Sequence, residues 1–372
     1  MQRFLVGHGE GGTGEQLVER CLAQIGELPE AVNFGFVYAT DALATELGAI
    51  LTKLRQRTGI AHWTGTVGVG ISATSQEYYE QPALAVMLAA FPVESFKVIP
   101  TLSSNTKAFM HDASSWLADD EFHFGLLHAD PTNQRSLQLM NDLAAQVAGA
   151  FFVGGLTSSQ GLHAQIANGV SAGGISGVLF SSKVPVVTSH TQGCTPIGIS
   201  HRITRCERNV LIELDGRPAL EVFKEDVGQV IANDLQRASG YIFAGFPIAG
   251  SDTGDYLVRN LMGIDLERKL VAVAELLTSE SEIMFCRRDG NSAREDLLRM
   301  LRDLKRRMGP TPKGAVYYSC LGRGRQQFGE QSAELKFIQS ELGDLPLVGF
   351  FANGEIFHNR LYAYTGVLTI FC

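Results

Sequence analysis

The chain of 372 residues is 45% hydrophobic and 19% charged, with forty glycines spread along it and a formal net charge of −8. This length exceeds one ordinary core, the composition excludes a disordered chain, and the acidic balance excludes a surface built to neutralise nucleic-acid phosphates. No stretch reaches the ~20 apolar residues of a membrane helix, and Met1–Glu15 lacks the apolar segment of a signal peptide, so no membrane partner is expected.

In chain order, Asn33–Asp41 reads as a strand. Leu43, Leu47, Ile50, Leu51 and Leu54 fall at helical spacing, and Trp63–Gly70 follows as a glycine-rich strand. A further strand spans Ala83–Phe91. The same order returns in His123–Pro131, a helix carrying Leu137, Met140, Leu143, Ala144 and Val147, then Ala150–Gly155 and Gly177–Phe180. Gly193–Pro196 reads as a turn. Strands are predicted at Val210–Leu214, Gly240–Phe246 and Glu282–Arg287, with a helix beginning near Ala219 between the first two. A helix over Ser292–Met308 takes Ser292 as its N-cap with Glu295 three residues on. Its arginines and lysine, Arg294 to Arg307, read as a solvated face around Leu297, Leu301 and Leu304. The third copy of the pattern is Lys313–Leu321, a glycine-rich loop, a helix with Leu335, Ile338 and Leu342, then Pro346–Phe351 and Gly366–Phe371.

Three β-α-β units with antiparallel return strands predict an α/β protein of mixed sheets in two lobes. The pattern places the division near Arg217, giving domains of 1–217 and 218–372. The six cysteines, Cys21, Cys194, Cys206, Cys286, Cys320 and Cys372, form no CxxC pair, as expected for reduced thiols in a cytoplasmic protein.

In sheets with parallel strands, ligands gather at the carboxyl ends. The loop Cys320-Leu321-Gly322-Arg323-Gly324-Arg325 presents backbone amides and guanidinium groups suited to a carboxylate or phosphate; it is equally read as a tight turn with two solvated arginines. Asn353-Gly354-Glu355 offers a carboxylate for an amino group, or is a plain hairpin turn. The loop lacks the ending of a Walker motif, and no nucleophile elbow or catalytic cysteine signature is present, so no enzymatic activity is expected. His190 with Cys194 and His201 with Cys206 lack the regular spacing of a metal site, and no metal is expected.

The order Asp255–Asp265, Met284–Asp289, Ser319–Gly324, Pro346–Glu355 and Tyr364–Phe371 resembles the FIST family, as do Val67–Gly70, Phe152–Gly155 and Gln192–Gly198 in the first half. The resemblance implies an intracellular sensory protein of signal transduction that binds a small ligand such as an amino acid, with FIST N-like and FIST C-like domains. Cys320, Gly322, Arg323, Gly324, Asn353, Glu355 and Thr365 are the expected ligand residues. No output domain is expected within these residues, so signalling would pass to a separate protein. Two alternatives stay open: a haem-binding nitric-oxide sensor, with His128 or His358 as candidate ligands, and a protein-interaction adaptor.

Overall fold

The computed structural model describes residues 2–232, 235–238, 240–248 and 255–372. The first repeat begins earlier than its hydrophobic pattern indicates, with β1 (Leu5–Glu10) and α1 (Gly14–Ile25). A capping box opens α1: the Gln16 amide donates to Thr13 Oγ1 at 3.3 Å and the Thr13 amide to Gln16 Oε1 at 3.0 Å. Then come β2 (Phe34–Thr40), α2 (Leu47–Thr58), β3 (His62–Gly68), the hairpin β4 (Gly70–Ala73) and β5 (Gln76–Tyr79), and β6 (Ala83–Ala89). β2 and β3 are parallel, and β6 returns antiparallel to β2 and pairs with β1.

The second repeat has the same plan: β7 (Phe96–Leu102), α3 (Lys107–Ala118), β8 (His123–Ala129), α4 (Ser136–Gln146), β9 (Ala150–Leu156), the hairpin β10 (Gln165–Ala167) and β11 (Val170–Ser171), and β12 (Ile175–Ser181). The third opens with β13 (Val186–Gln192). The chain then leaves for a separate unit made of β14 (Cys194–Glu207), β15 (Val210–Leu214), β16 (Arg217–Pro218), α5 (Ala219–Ala232), β17 (Ile242–Pro247), β18 (Tyr256–Asp265), β19 (Leu270–Val273) and β20 (Glu282–Arg288). It resumes with α6 (Gly290–Arg307), β21 (Gly314–Cys320), α7 (Arg325–Phe328), α8 (Ala333–Leu342), β22 (Leu347–Ala352), the hairpin β23 (Glu355–Phe357) and β24 (Arg360–Tyr362), and β25 (Thr365–Phe371).

The chain thus forms two compact units, one of residues 1–191, 297–361 and 365–372, the other of 192–296 with 362–364. Arg217, where the sequence pattern suggested a division, lies in β16 within the second unit.

In the first unit the three repeats exchange hairpins in a cycle. The sheet of repeat one is completed by β10–β11, that of repeat two by β23–β24, and that of repeat three by β4–β5. Strand alternation then sorts the side chains. Phe36, Leu126, Val316 and their neighbours from all three sheets fill one shared core. The opposite faces pack on each repeat's own helix pair: Val37 on α1 and α2, Leu127 on α3 and α4, and Tyr317 on α6 and α8. The glycine-rich strands have a steric cause. A Cβ at Gly65, Gly154 or Gly349 would stand 1.7, 1.9 or 1.7 Å from the carbonyl oxygen of Val37, Leu127 or Tyr317 on the parallel neighbour.

In the second unit β14, β20, β17, β18, β19 and β15 pair antiparallel in that order, and β15 closes back on β14, giving a six-stranded barrel. Leu220 and Phe223 of α5 share its core with Ile203, Val271 and Phe285.

Two local predictions are corrected. Gly193–Pro196 is not a turn, because Cys194–Ile197 pairs in ladder with Arg288–Phe285; the irregularity comes at Ile197–His201, where Gly198 has φ +70°. Ser292 is not the N-cap of α6. Asp289 is, accepting from the Asn291 amide at 2.9 Å and the Ser292 amide at 3.3 Å, and its carboxylate is favoured by the helix dipole.

Candidate functional site

β2, β8 and β21 bring three equivalent residues together. Tyr38 Oη lies 3.1 Å from His128 Nε2 and 2.9 Å from Tyr318 Oη, all three buried. His128 Nδ1 has no hydrogen-bond partner among the described residues, and burial pulls its imidazole down to about 3, so the ring is neutral. Sequence reading assigned these residues to strands without showing that they meet.

Two positions further on, the repeats diverge. In repeat three the loop after β21 turns Arg323 inward, leaving it 1% exposed. Its Nε donates to Glu334 Oε1 at 2.8 Å, and Nη2 lies 2.7 Å from the same oxygen. Tyr317 Oη at 2.7 Å, Ser319 Oγ at 3.0 Å and the Gly324 amide at 2.9 Å also donate to Glu334. Burial works against the Arg323 charge, but the adjoining carboxylate outweighs it and holds the guanidinium as a cation. Arg323 is therefore not the solvated arginine of a plain turn. Arg325 is the outward one, paired with Glu80 and stacked over Tyr79 at 4.6 Å.

Glu355, at the start of β23, is fully buried. Its Oε2 accepts from Thr365 Oγ1 at 2.7 Å and the Thr365 amide at 3.1 Å, while Oε1 has no hydrogen-bond partner among the described residues. Burial pushes this carboxyl up to about 8 against the opposing pull of Thr365, the Arg323 charge and the Cys320 thiol. Arg323 Nη1 likewise meets no described acceptor. Glu77 on β5 is a third inward acid, pushed up to about 8 by burial and by Glu334.

The structure thus gathers Cys320, Arg323, Glu355 and Thr365 in one buried cluster, with Gly324 donating to Glu334. Gly322 is half-buried beside Cys320, and Asn353 is exposed at the turn before β23. Glu334 and Glu77 escaped the sequence reading. A signal for Glu334 existed, since it is a charged residue in phase with Ile338 and Leu342 on the buried stripe of α8.

The haem candidates do not fit. The His128 ring is packed by Tyr38, Tyr318 and Phe350 at 5.6, 6.1 and 5.8 Å between centroids, where a macrocycle would have to stand. His358 is exposed on the β23–β24 turn. His201 pairs with Asp215 and Asp226, and among the described residues no group of three or more His, Cys, Asp or Glu side chains is placed to hold a metal. No helix among them is long and apolar enough to cross a membrane.

The first compact unit is thus a cyclically exchanged α/β scaffold that encloses a buried charged cluster. The chain belongs to the FIST family: the FIST N domain matches residues 33–217 and the FIST C domain residues 219–358. FIST domains are sensory domains of signal transduction. The chain is similar to the uncharacterized protein Rv0628c of Mycobacterium tuberculosis, 28% identical over 355 residues covering 89% of this chain and 91% of that protein. It is also similar to the uncharacterized protein Mb0898c of Mycobacterium bovis, 28% identical over 362 residues covering 93% and 91%.

Proposed function

We propose that this protein is a cytoplasmic sensor that binds a small metabolite carrying an amino group, with free amino acids as the leading class, and passes the signal to a separate output protein. In this reading Glu355 and Thr365 receive the amino group, and Arg323 Nη1 faces the carboxylate. Cys320, Gly322, Gly324 and Asn353 complete the surroundings. The protein binds its ligand without turning it over.

The observation that carries this reading is an internal comparison among the repeats. The ladders place Glu355 where repeat one has Ile71 and repeat two has Gln165. Six residues beyond the ladder-equivalent Val37, Leu127 and Tyr317, Arg323 stands where the others have Leu43 and Asn133. Ile71 and Leu43 are ordinary buried apolar residues. Gln165 is satisfied by the Gly174 carbonyl at 3.0 Å and by Ser176 Oγ at 2.6 Å, and Asn133 Nδ2 donates to two carbonyls at 2.7 and 2.9 Å. At these two positions the same frame is therefore built twice without a charged side chain. At the same two positions repeat three places Glu355 Oε1 and Arg323 Nη1 inside without a hydrogen bond among the described residues, at a desolvation cost that the fold itself does not require.

The test is thermal-shift screening against free amino acids, simple amines and simple carboxylates, followed by titration calorimetry of the hits. A ligand of the folded state raises its stability. Saturable stabilisation by an amino acid, lost on Glu355→Gln with the fold intact, is expected. Binding that is indifferent to that substitution would remove Glu355 from the site, and no response from any compound would move the reading toward an interaction module.

A further inference from the structure

The cluster is sealed, and what seals it differs among the repeats. The connection from the central strand to its helix spans residues 41–46 in repeat one and 130–135 in repeat two, but 321–332 in repeat three, twice the length. The added length holds α7 and runs directly from Cys320 and Arg323 to Glu334, over the buried charges. Its two ends turn at positive φ: Gly324 at +50° and Gly329 at +90°, with Gln331 at +67° and Ser332 at +56°. Non-glycine residues in that region carry strain that a change of conformation relieves.

Phe328 of α7 packs against the Arg323 guanidinium and Phe337, and the rest of the segment is held through the β4–β5 hairpin. Arg325 pairs with Glu80 at the hairpin's end, and these two side chains are 31% and 69% exposed. The Arg325 guanidinium lies over the Tyr79 ring, whose hydroxyl donates to Glu77 Oε2 at 2.9 Å, and the Glu77 amide donates to Ser332 Oγ at 2.8 Å. Of these contacts the Arg325–Glu80 pair is the exposed one, and pairs of that kind are weak and readily broken. The Arg323–Glu334 pair beneath them is not.

We propose that residues 325–332 form a lid over the Glu355 cluster, latched by Arg325 on Glu80 and Tyr79, and that opening of this latch admits the ligand. The proposal rests on the reading of Glu355 as a ligand group, which fixes what the lid covers. The lid opens at Gly324 and Gly329 and leaves β21, α8 and the Arg323–Glu334 pair in place.

Cys320 supplies a probe that needs no ligand. It is 8% exposed at the root of the lid, whereas Cys21 is fully buried on the inner face of α1. Alkylation of each thiol by iodoacetamide is followed by peptide mass spectrometry in the wild-type chain and in Glu80→Gln and Arg325→Gln. Loss of one exposed ion pair predicts Cys320 labelling faster by about three- to five-fold in both variants, with Cys21 unchanged. Hydrogen exchange of residues 325–332 should rise in parallel while that of α6 does not. An unchanged Cys320 rate would overturn the latch, and equal acceleration of Cys21 would show general loosening in place of a lid. Because the assay contains no amino acid, the lid fails or stands separately from the ligand reading, which Glu355→Gln decides.

Discussion

Breaking the Arg323–Glu334 pair from either side should give unequal losses. Arg323→Met leaves Glu334 with three of its donors, Tyr317 Oη, Ser319 Oγ and the Gly324 amide. The carboxylate keeps much of its compensation, and a loss of about 3 kcal/mol is expected, the lower end for a broken buried pair. Glu334→Gln strands a permanent cation that is fully buried and offers it one amide oxygen, so about 4–5 kcal/mol is expected. Both tryptophans, Trp63 and Trp116, lie in the first compact unit, so their fluorescence in urea follows that unit. The midpoints of both single variants and of the double variant give a coupling energy, expected to be about 2 kcal/mol for groups in direct contact. In heating experiments the worse single variant should melt roughly 10 °C lower. Coupling below about 0.5 kcal/mol, or a larger loss for Arg323→Met, would refute the view that Glu334 is the anion balancing this arginine.

Two pH dependences follow. Glu355 keeps its proton in the folded chain between its ordinary value of 4.5 and about 8, while the unfolded chain releases it, so folding stability falls as pH rises across that window. Glu77 adds to the same slope. Urea midpoints followed by tryptophan fluorescence at the two ends of the window should show Glu355→Gln gaining a few kcal/mol on the wild type at the upper end; parallel curves would contradict the burial argument. In the barrel, His201 Nδ1 faces Asp215 at 2.7 Å and Nε2 faces Asp226 at 2.9 Å, so each ring nitrogen is set against a carboxyl oxygen. Burial opposes the imidazolium, but the two carboxylates outweigh it and hold its pKa above 6.5, while burial raises Asp226. The charged groups around it are Asp215, Asp226 and the Arg217–Glu225 pair. The clamp's stabilisation is complete below the ordinary histidine value and is lost as pH rises through the raised one. Hydrogen exchange of α5, compared between wild type and His201→Gln, should differ at low pH and converge at high pH; a constant difference would rule out titration of His201.

Much of the fold was legible in the sequence because its determinants are local. Leu47, Ile50, Leu51 and Leu54 mark a helix face without help from distant residues, and the glycines of Trp63–Gly68 and Ala150–Leu156 mark strands that leave no room for a Cβ beside their parallel neighbours. Ends were less legible: Asp289 displaced Ser292 as a cap because both residue types serve and only the path of β20 into α6 selects one. The candidate residues Cys320, Arg323, Glu355 and Thr365 were nominated from strand-end position and family resemblance. Their burial was not foreseeable, since the sequence alone makes Arg323 look like half of a solvated pair.

What the sequence determined by itself is the repeated β-α-β plan, for its periodicities are written in each segment. What tertiary structure decided is which hairpin completes which sheet, that residues 192–296 close a barrel of their own, and that Tyr38, His128 and Tyr318 share one point. It also decided that Arg323 turns inward to Glu334 while Arg325 turns outward to Glu80. These choices depend on contacts between residues far apart in the chain. A charged side chain's fate is set by whether a distant partner compensates its loss of water, and local sequence carries no record of that partner.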